Sequence, residues 1–206
     1  MKLFSSPLSP FARKCRIVAA ELGLGDRLEI VAQSVNPVTP DAHYLERNPL
    51  GKIPCLLLDD GRALFDSHVI CEYLIDLAGP GRGEALVPRG PARWDVLTRQ
   101  SLASGMTDAI VLVRYESALR PESLRWSEWQ AGQQRKFDEG LTHFEAQGAG
   151  LSGPLDLAQI ALACALAYTD ARFPELGWRV RAPGVAAWHA QVEQRPAFVA
   201  TAPPAG

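Results

Sequence analysis

The chain has 206 residues, 47% of them hydrophobic and 21% charged. That composition excludes a disordered polymer and leaves room for one or two domains of roughly 100–150 residues. Lys and Arg number 21 against 23 Asp and Glu, a net charge of −2, so the basic excess that drives nucleic-acid binding is missing.

Residues 2–5 read as a first strand. Ser9 and Pro10 then open a helix, Ser9 as N-cap and Pro10 at the first helical position, where its missing N–H costs nothing. Phe11, Cys15, Val18 and Leu22 recur at helical spacing and predict a buried stripe, with Arg13, Lys14 and Arg16 on a solvated face. Gly23 and Gly25 end this helix. Residues 28–31 predict a second strand, and Thr39-Pro40 repeats the start signal for a short helix reaching about Arg47.

Two apolar runs, residues 55–58 and 63–65, are joined by Asp59-Asp60-Gly61-Arg62, a strong hairpin signal. Asp66-Ser67 caps a helix with one apolar face of Val69, Ile70, Tyr73, Leu74 and Leu77. The order strand, helix, strand, helix, hairpin, helix predicts an α/β layer over residues 1–78.

Residues 79–91 hold the densest Gly and Pro of the chain and are expected to be a linker. Residues 92–206 then show no strand pattern. Helices are predicted over residues 92–119, closed by Pro121, and over 127–147, before Gly148 and Gly150. Asp156-Leu157-Ala158-Gln159 is a capping box, with Leu155 and Ile160 as its hydrophobic staple. The helix it opens is apolar on nearly every side, which places it in the middle of a bundle. A last helix spans about 184–194, and residues 201–206 are expected to fray.

Met1 to Phe4 runs straight into Ser5, Ser6 and Pro7, so no leader peptide is expected. The most apolar run, residues 160–168, is far short of the ~20 residues that span a bilayer. Cys15, Cys55, Cys71 and Cys164 lie far apart, without a Cys-x-x-Cys pair or a nearby His, which fits neither a disulfide framework nor a zinc site. The expected location is the cytoplasm, with reduced thiols.

Four motifs stand out together: Ser9-Pro10-Phe11-Ala12-Arg13-Lys14 after the first strand, Asn48-Pro49-Leu50-Gly51-Lys52-Ile53-Pro54 before the hairpin, Phe65-Asp66-Ser67 before the third helix, and the Asp156 capping box followed by Ile160. In this order and spacing they resemble the cytosolic glutathione transferase family, in its bacterial, serine-type form. The resemblance covers almost the whole chain. It implies a thioredoxin-like N-terminal domain followed by an all-α helical bundle, usually as a homodimer.

The activity implied is a glutathione transferase that ionises the glutathione thiol and adds it to a small electrophile. Glutathione is then a co-substrate, with no metal and neither nucleic acid nor membrane as partner. Ser9 stands at the family's activating position, with Ser6 as the runner-up hydroxyl. Phe11, Lys52, Ile53, Pro54, Asp66 and Ser67 are implied to bind glutathione. Lys52 would reach the glycyl carboxylate, a cis Pro54 would turn the Ile53 N–H and C=O toward the cysteinyl backbone, Ser67 would hold the γ-glutamyl carboxylate, and Asp66 its ammonium.

A thiol of pKa ~8.5 must drop by about two units, or roughly 2.7 kcal/mol, to be mostly ionised at neutral pH. A helix N-terminus supplies roughly 0.3–1 kcal/mol to a nearby anion, up to ~2 in a partly buried site. A hydroxyl donated to an anion adds roughly 1.5–3 kcal/mol. Ser9, at a helix start, offers both effects. Read without the resemblance, it is an N-cap.

The second substrate is implied to meet Met106, Ile110, Val113, Arg114 and Tyr115. The aliphatic residues there read equally as core, and Arg114 either assists the leaving group or pairs with Glu116 or Asp108. Cys15, on the apolar stripe, reads as core. The alternatives are another glutathione-dependent enzyme (reductase, peroxidase, isomerase or dehalogenase) or a non-catalytic binding module on the same fold.

Overall fold

In the computed structural model, β1 (Lys2–Ser5) lies between two partners: β2 (Glu29–Ala32), parallel to it, and β3 (Cys55–Leu57), antiparallel. β4 (Ala63–Leu64) adds an antiparallel edge to β3, giving the order β2-β1-β3-β4. The parallel β1–β2 pair needs a crossover, which α1 (Pro10–Glu21) supplies. The structure describes residues 1–204, apart from the side chains at 149 and 150.

The pleat sends Leu3 and its partner Leu56 to one face, where both are fully buried, and Phe4 and Cys55 to the other, against Tyr44. Tyr44 sits on α2 (Ala42–Leu45), which starts later than Thr39-Pro40 suggests because Asp41 is its cap, accepting the His43 and Tyr44 amides. α3 (Ser67–Ala78) packs beside α1.

Within the Gly/Pro-rich stretch, residues 80–86 are helical as α4 (Pro80–Leu86), packed on α3. Pro80 opens it after Gly79, whose φ is +79°. Gly83 lets it approach closely, since a Cβ there would stand 2.4 Å from the Ile75 carbonyl oxygen.

The second unit, Gly90–Arg195, is built of α5 (Ala92–Ala118), α6 (Ser127–Ala146), α7 (Leu157–Arg172), α8 (Trp178–Arg181) and α9 (Pro183–Val192). α7 is buried along its first 13 residues, as its all-round apolar surface demands. Asp156 caps it by accepting the Gln159 amide at 2.8 Å. The reciprocal half of the capping box is replaced, because the Gln159 side chain donates to the Pro154 carbonyl. α5 packs on both α6 and α7, and Gly140 of α6 receives the Met106 side chain where a Cβ would collide with it.

The first unit comprises Met1–Arg89 and Pro196–Pro204, the latter carrying α10 (Pro196–Val199). Arg13 explains this return of the chain. The residue is 2% exposed, and its guanidinium donates to the Phe198 carbonyl at 3.1 Å and to the Thr201 hydroxyl at 3.4 Å. The solvated face expected for Arg13 and Lys14 is therefore corrected, since both are buried and Arg16 is half-buried. At Thr201 the expected fraying is corrected as well: Thr201 is buried and donates to the Ala197 carbonyl. Residues 205 and 206 of that tail lie outside the described residues. Among the described residues no helix is long and apolar enough to cross a membrane.

Candidate functional site

Ser9 is the N-cap of α1, in extended conformation (φ −81°, ψ 113°), and its Oγ accepts the Ala12 amide at 3.2 Å. The cap uses a lone pair of that oxygen. The hydroxyl proton finds no acceptor among the described residues. One side chain can thus cap the helix and donate outward, so the two readings of Ser9 are compatible. Ser9, four residues beyond the end of β1, is half-buried, as is Phe11 on the first turn, while Cys15, two turns along, is fully buried as expected.

The Ile53–Pro54 bond is cis, as the resemblance implies. Tyr44 and Asn48 donate to the Lys52 carbonyl at 2.8 and 2.7 Å and anchor the loop from behind. The Ile53 N–H and C=O make no backbone bond among the described residues. One donor and one acceptor are left for an extended peptide to pair with, as an added strand would. The Lys52 side chain is exposed.

Asp66 follows a cis Phe65–Asp66 bond and caps α3, its Oδ1 accepting the His68 amide at 2.8 Å. Asp66 is exposed and Ser67 is buried. The Ser67 and Val69 amides, in the same first turn, have no acceptor among the described residues. Open amides at a helix start are a ready anion site.

Two features beneath this helix start were not anticipated. The Lys14 Nζ is buried without a hydrogen-bond partner among the described residues. Burial, together with the Lys14 charge, holds the His68 imidazole below its ordinary range, with Asp66 opposing. The Cys15 and Cys71 sulfurs lie 3.9 Å apart, and Cys15 also meets the Ser67 carbonyl at 3.8 Å. A Lys beside an apolar stripe carries no local sign of burial; only the packing of α1 on α3 shows it.

In the helical unit, Met106, Ile110 and Val113 belong to one core cluster with Phe137, Leu141 and Leu166. All three are buried, so their expected place in a substrate pocket is corrected: they hold α5 to its neighbours. Arg114 and Tyr115 are half-buried and stand beside Tyr168 of α7. Glu116 is not the partner of Arg114, because it binds Arg120 at 2.7 Å and the Trp126 amide at 2.8 Å.

Residues 8–77 match the family described as "Glutathione S-transferase, N-terminal domain", and residues 127–191 match "Glutathione S-transferase, C-terminal domain". The "Uncharacterized GST-like protein YibF" of Escherichia coli is 33% identical, the alignment covering 99% of each chain. A glutathione transferase family member from Pseudomonas fluorescens Pf-5, crystallised with bound glutathione, superposes with a TM-score of 0.95 at 44% identity over 98% of both chains. A crystal structure of a Pf-5 family member with bound S-(propanoic acid)-glutathione gives a TM-score of 0.90 at 42% identity, over 99% of this chain and 100% of that one.

Proposed function

This chain belongs to the glutathione S-transferase family, and from that premise we propose that it binds glutathione in its first unit, ionises the thiol at Ser9 and joins the sulfur to a small electrophile. The observation that carries this reading is the Ser9 hydroxyl, whose oxygen caps α1 while its proton stays available. Helix start and hydroxyl together can supply the roughly 2.7 kcal/mol that a two-unit drop in thiol pKa requires.

The other contacts follow from the tripeptide's own chemistry. The Ile53 N–H and C=O pair with the cysteinyl backbone beside the cis proline. The Ser67 amide and hydroxyl take the γ-glutamyl carboxylate, and the second oxygen of Asp66 takes the ammonium. Lys52 meets the glycyl carboxylate, and Phe11, half-buried on the first turn of α1, contacts the bound tripeptide. The chain works in the cytoplasm as a homodimer.

Conjugation is favoured over disulfide exchange by the cysteines. All four are buried, and exchange needs an accessible thiolate. The thioether in the Pf-5 relative with bound S-(propanoic acid)-glutathione is the kind of product that conjugation forms.

The test is calorimetric titration with glutathione, followed by difference absorbance of the bound thiolate against pH. The bound thiol should titrate about one to two units below the free thiol, and Ser9→Ala should return most of that shift. An unshifted thiol in the unmodified protein would sink the reading. An unchanged titration in the variant would transfer the role from Ser9 to Ser6 or a backbone amide.

A further inference from the structure

Arg172 ends α7, and its Nε is buried without a hydrogen-bond partner among the described residues. Its guanidinium lies against the Tyr168 phenol, four residues earlier on the same face of the helix. From α5, Arg114 and Tyr115 act on that same phenol. Two guanidiniums and two phenols therefore converge where the C-terminal parts of α5 and α7 meet.

Neither Arg114 nor Arg172 forms an ion pair among the described residues. Glu116 is taken by Arg120 and the Trp126 amide. Asp170 is taken by both terminal nitrogens of Arg179 and by the Trp178 indole N–H. Burying a guanidinium nitrogen without an acceptor is unfavourable, and placing two cations around one phenol adds repulsion. A bound anion would relieve both.

We propose that this cluster is a carboxylate receptor: Arg114 and Arg172 clamp an organic carboxylate, and the O–H groups of Tyr115 and Tyr168 donate to it. The second substrate is then an anionic electrophile, recognised by the helical unit through its acid group. Guanidinium forks match the planar, two-oxygen geometry of a carboxylate. The faces of the two phenol rings suit an aromatic body attached to it. Burial raises the pKa of both phenols above the ordinary tyrosine value, so they remain donors at neutral pH.

This inference rests on the conjugation reading, and two measurements separate them. The first is direct binding, by calorimetry, of 4-nitrobenzoate and of its neutral isostere 4-nitrobenzamide. Neither reacts, so this arm needs no turnover. The benzoate should bind about tenfold or more tightly than the amide, and Arg114→Gln and Arg172→Gln should each lose about tenfold of that preference. Tyr168→Phe should lose less, and Arg172→Lys should keep part of the binding. Equal affinity for the two probes in the unmodified protein overturns the proposal, whatever the variants do.

The second measurement compares turnover of 4-chloro-3-nitrobenzoate with that of 1-chloro-2,4-dinitrobenzene. In both, the glutathione thiolate forms a sulfur–carbon bond, the carbon–chlorine bond breaks, chloride leaves with the electron pair and the thiol proton goes to solvent. The ratio of kcat/KM for the benzoate over the neutral substrate should fall about tenfold in Arg172→Gln. An unchanged ratio overturns the receptor. Absence of glutathione binding would overturn conjugation and leave the benzoate titration to decide this site alone.

Discussion

Arg99 Nη2 lies 2.9 Å from Asp156 Oδ2, and the two side chains are only 11% and 13% exposed. With its other oxygen Asp156 caps α7 through the Gln159 amide. A single carboxylate therefore starts the central helix of the bundle and ties it to α5. Asp156→Ala should cost about 2–4 kcal/mol, the sum of a lost cap and a nearly buried Arg99 short of a partner. Asp156→Asn keeps a capping oxygen and should cost about 1 kcal/mol less. Urea titration of both variants checks this; equal losses would place the whole effect in the ion pair.

Two glycines of α4 should respond in opposite directions to the same change. A Cβ at Gly81 meets nothing within 4 Å, whereas one at Gly83 would press on the Ile75 carbonyl oxygen. Gly81→Ala should stabilise the chain by about 0.5–1 kcal/mol through helix propensity. Gly83→Ala should destabilise it by about 1–3 kcal/mol, because backbone must move. Thermal melts of the two variants suffice, and a stabilising Gly83→Ala would show that α4 can pull away from α3 at little cost.

The start signals of the helices were legible because they are local. Ser9-Pro10, Asp66-Ser67 and Asp156 each cap the helix expected of them. The turn Asp59-Asp60-Gly61-Arg62 joins β3 to β4 as its Asp-Gly pair suggests. The ligand roles proposed for Ser9, Ile53, Asp66 and Ser67 rest on motif resemblance, since capping alone accounts for Ser9 and Asp66 without any ligand.

What the letters hid depends on distant partners. Arg13 finds its acceptors at Phe198 and Thr201, more than 180 residues along the chain, so its local pattern suggested solvent. Met106, Ile110 and Val113 carry the same apolar surface whether they line a pocket or fill a core, and only the packing of α6 and α7 on α5 decides. Tyr168 and Arg172 sit on a helix that reads as uniformly apolar, which hid the polar end of it.

Glu116 supplies a stability term that depends on pH. The Trp126 N–H donating to Oε1, with Arg120 on Oε2, holds its carboxyl below the usual value of 4.5. The folded state therefore binds its proton less readily than the unfolded chain. This contribution is fully present above about pH 4.5 and is lost as pH falls through the folded pKa. The stability difference between the unmodified protein and Glu116→Gln should be largest near neutral pH and shrink in acid. A difference that is constant with pH would mean the glutamine keeps the same bonds.

Asp66 has two roles that substitution can separate. Asp66→Ala removes both the cap on α3 and the charge, and should cost about 1 kcal/mol of stability. It should also weaken glutathione binding by about 1–3 kcal/mol, by removing the ammonium's partner. Asp66→Asn keeps a capping oxygen without the charge, so stability should hold while affinity falls. Calorimetry beside thermal melts reads both. Full affinity in Asp66→Asn would return this residue to a purely structural role.

The contact of Arg13 with α10 has a consequence for how the chain is made. The unit that carries Ser9 is interrupted in sequence by the whole helical bundle and resumes only at Pro196. On the ribosome, α1 emerges long before the Phe198 carbonyl and the Thr201 hydroxyl exist to receive the Arg13 guanidinium. Until then those two acceptors are missing from its surroundings. The first-made half of the protein is thus the last to be completed, and the helix bearing Ser9 gains its final anchor only after all the residues of the helical bundle have been synthesised.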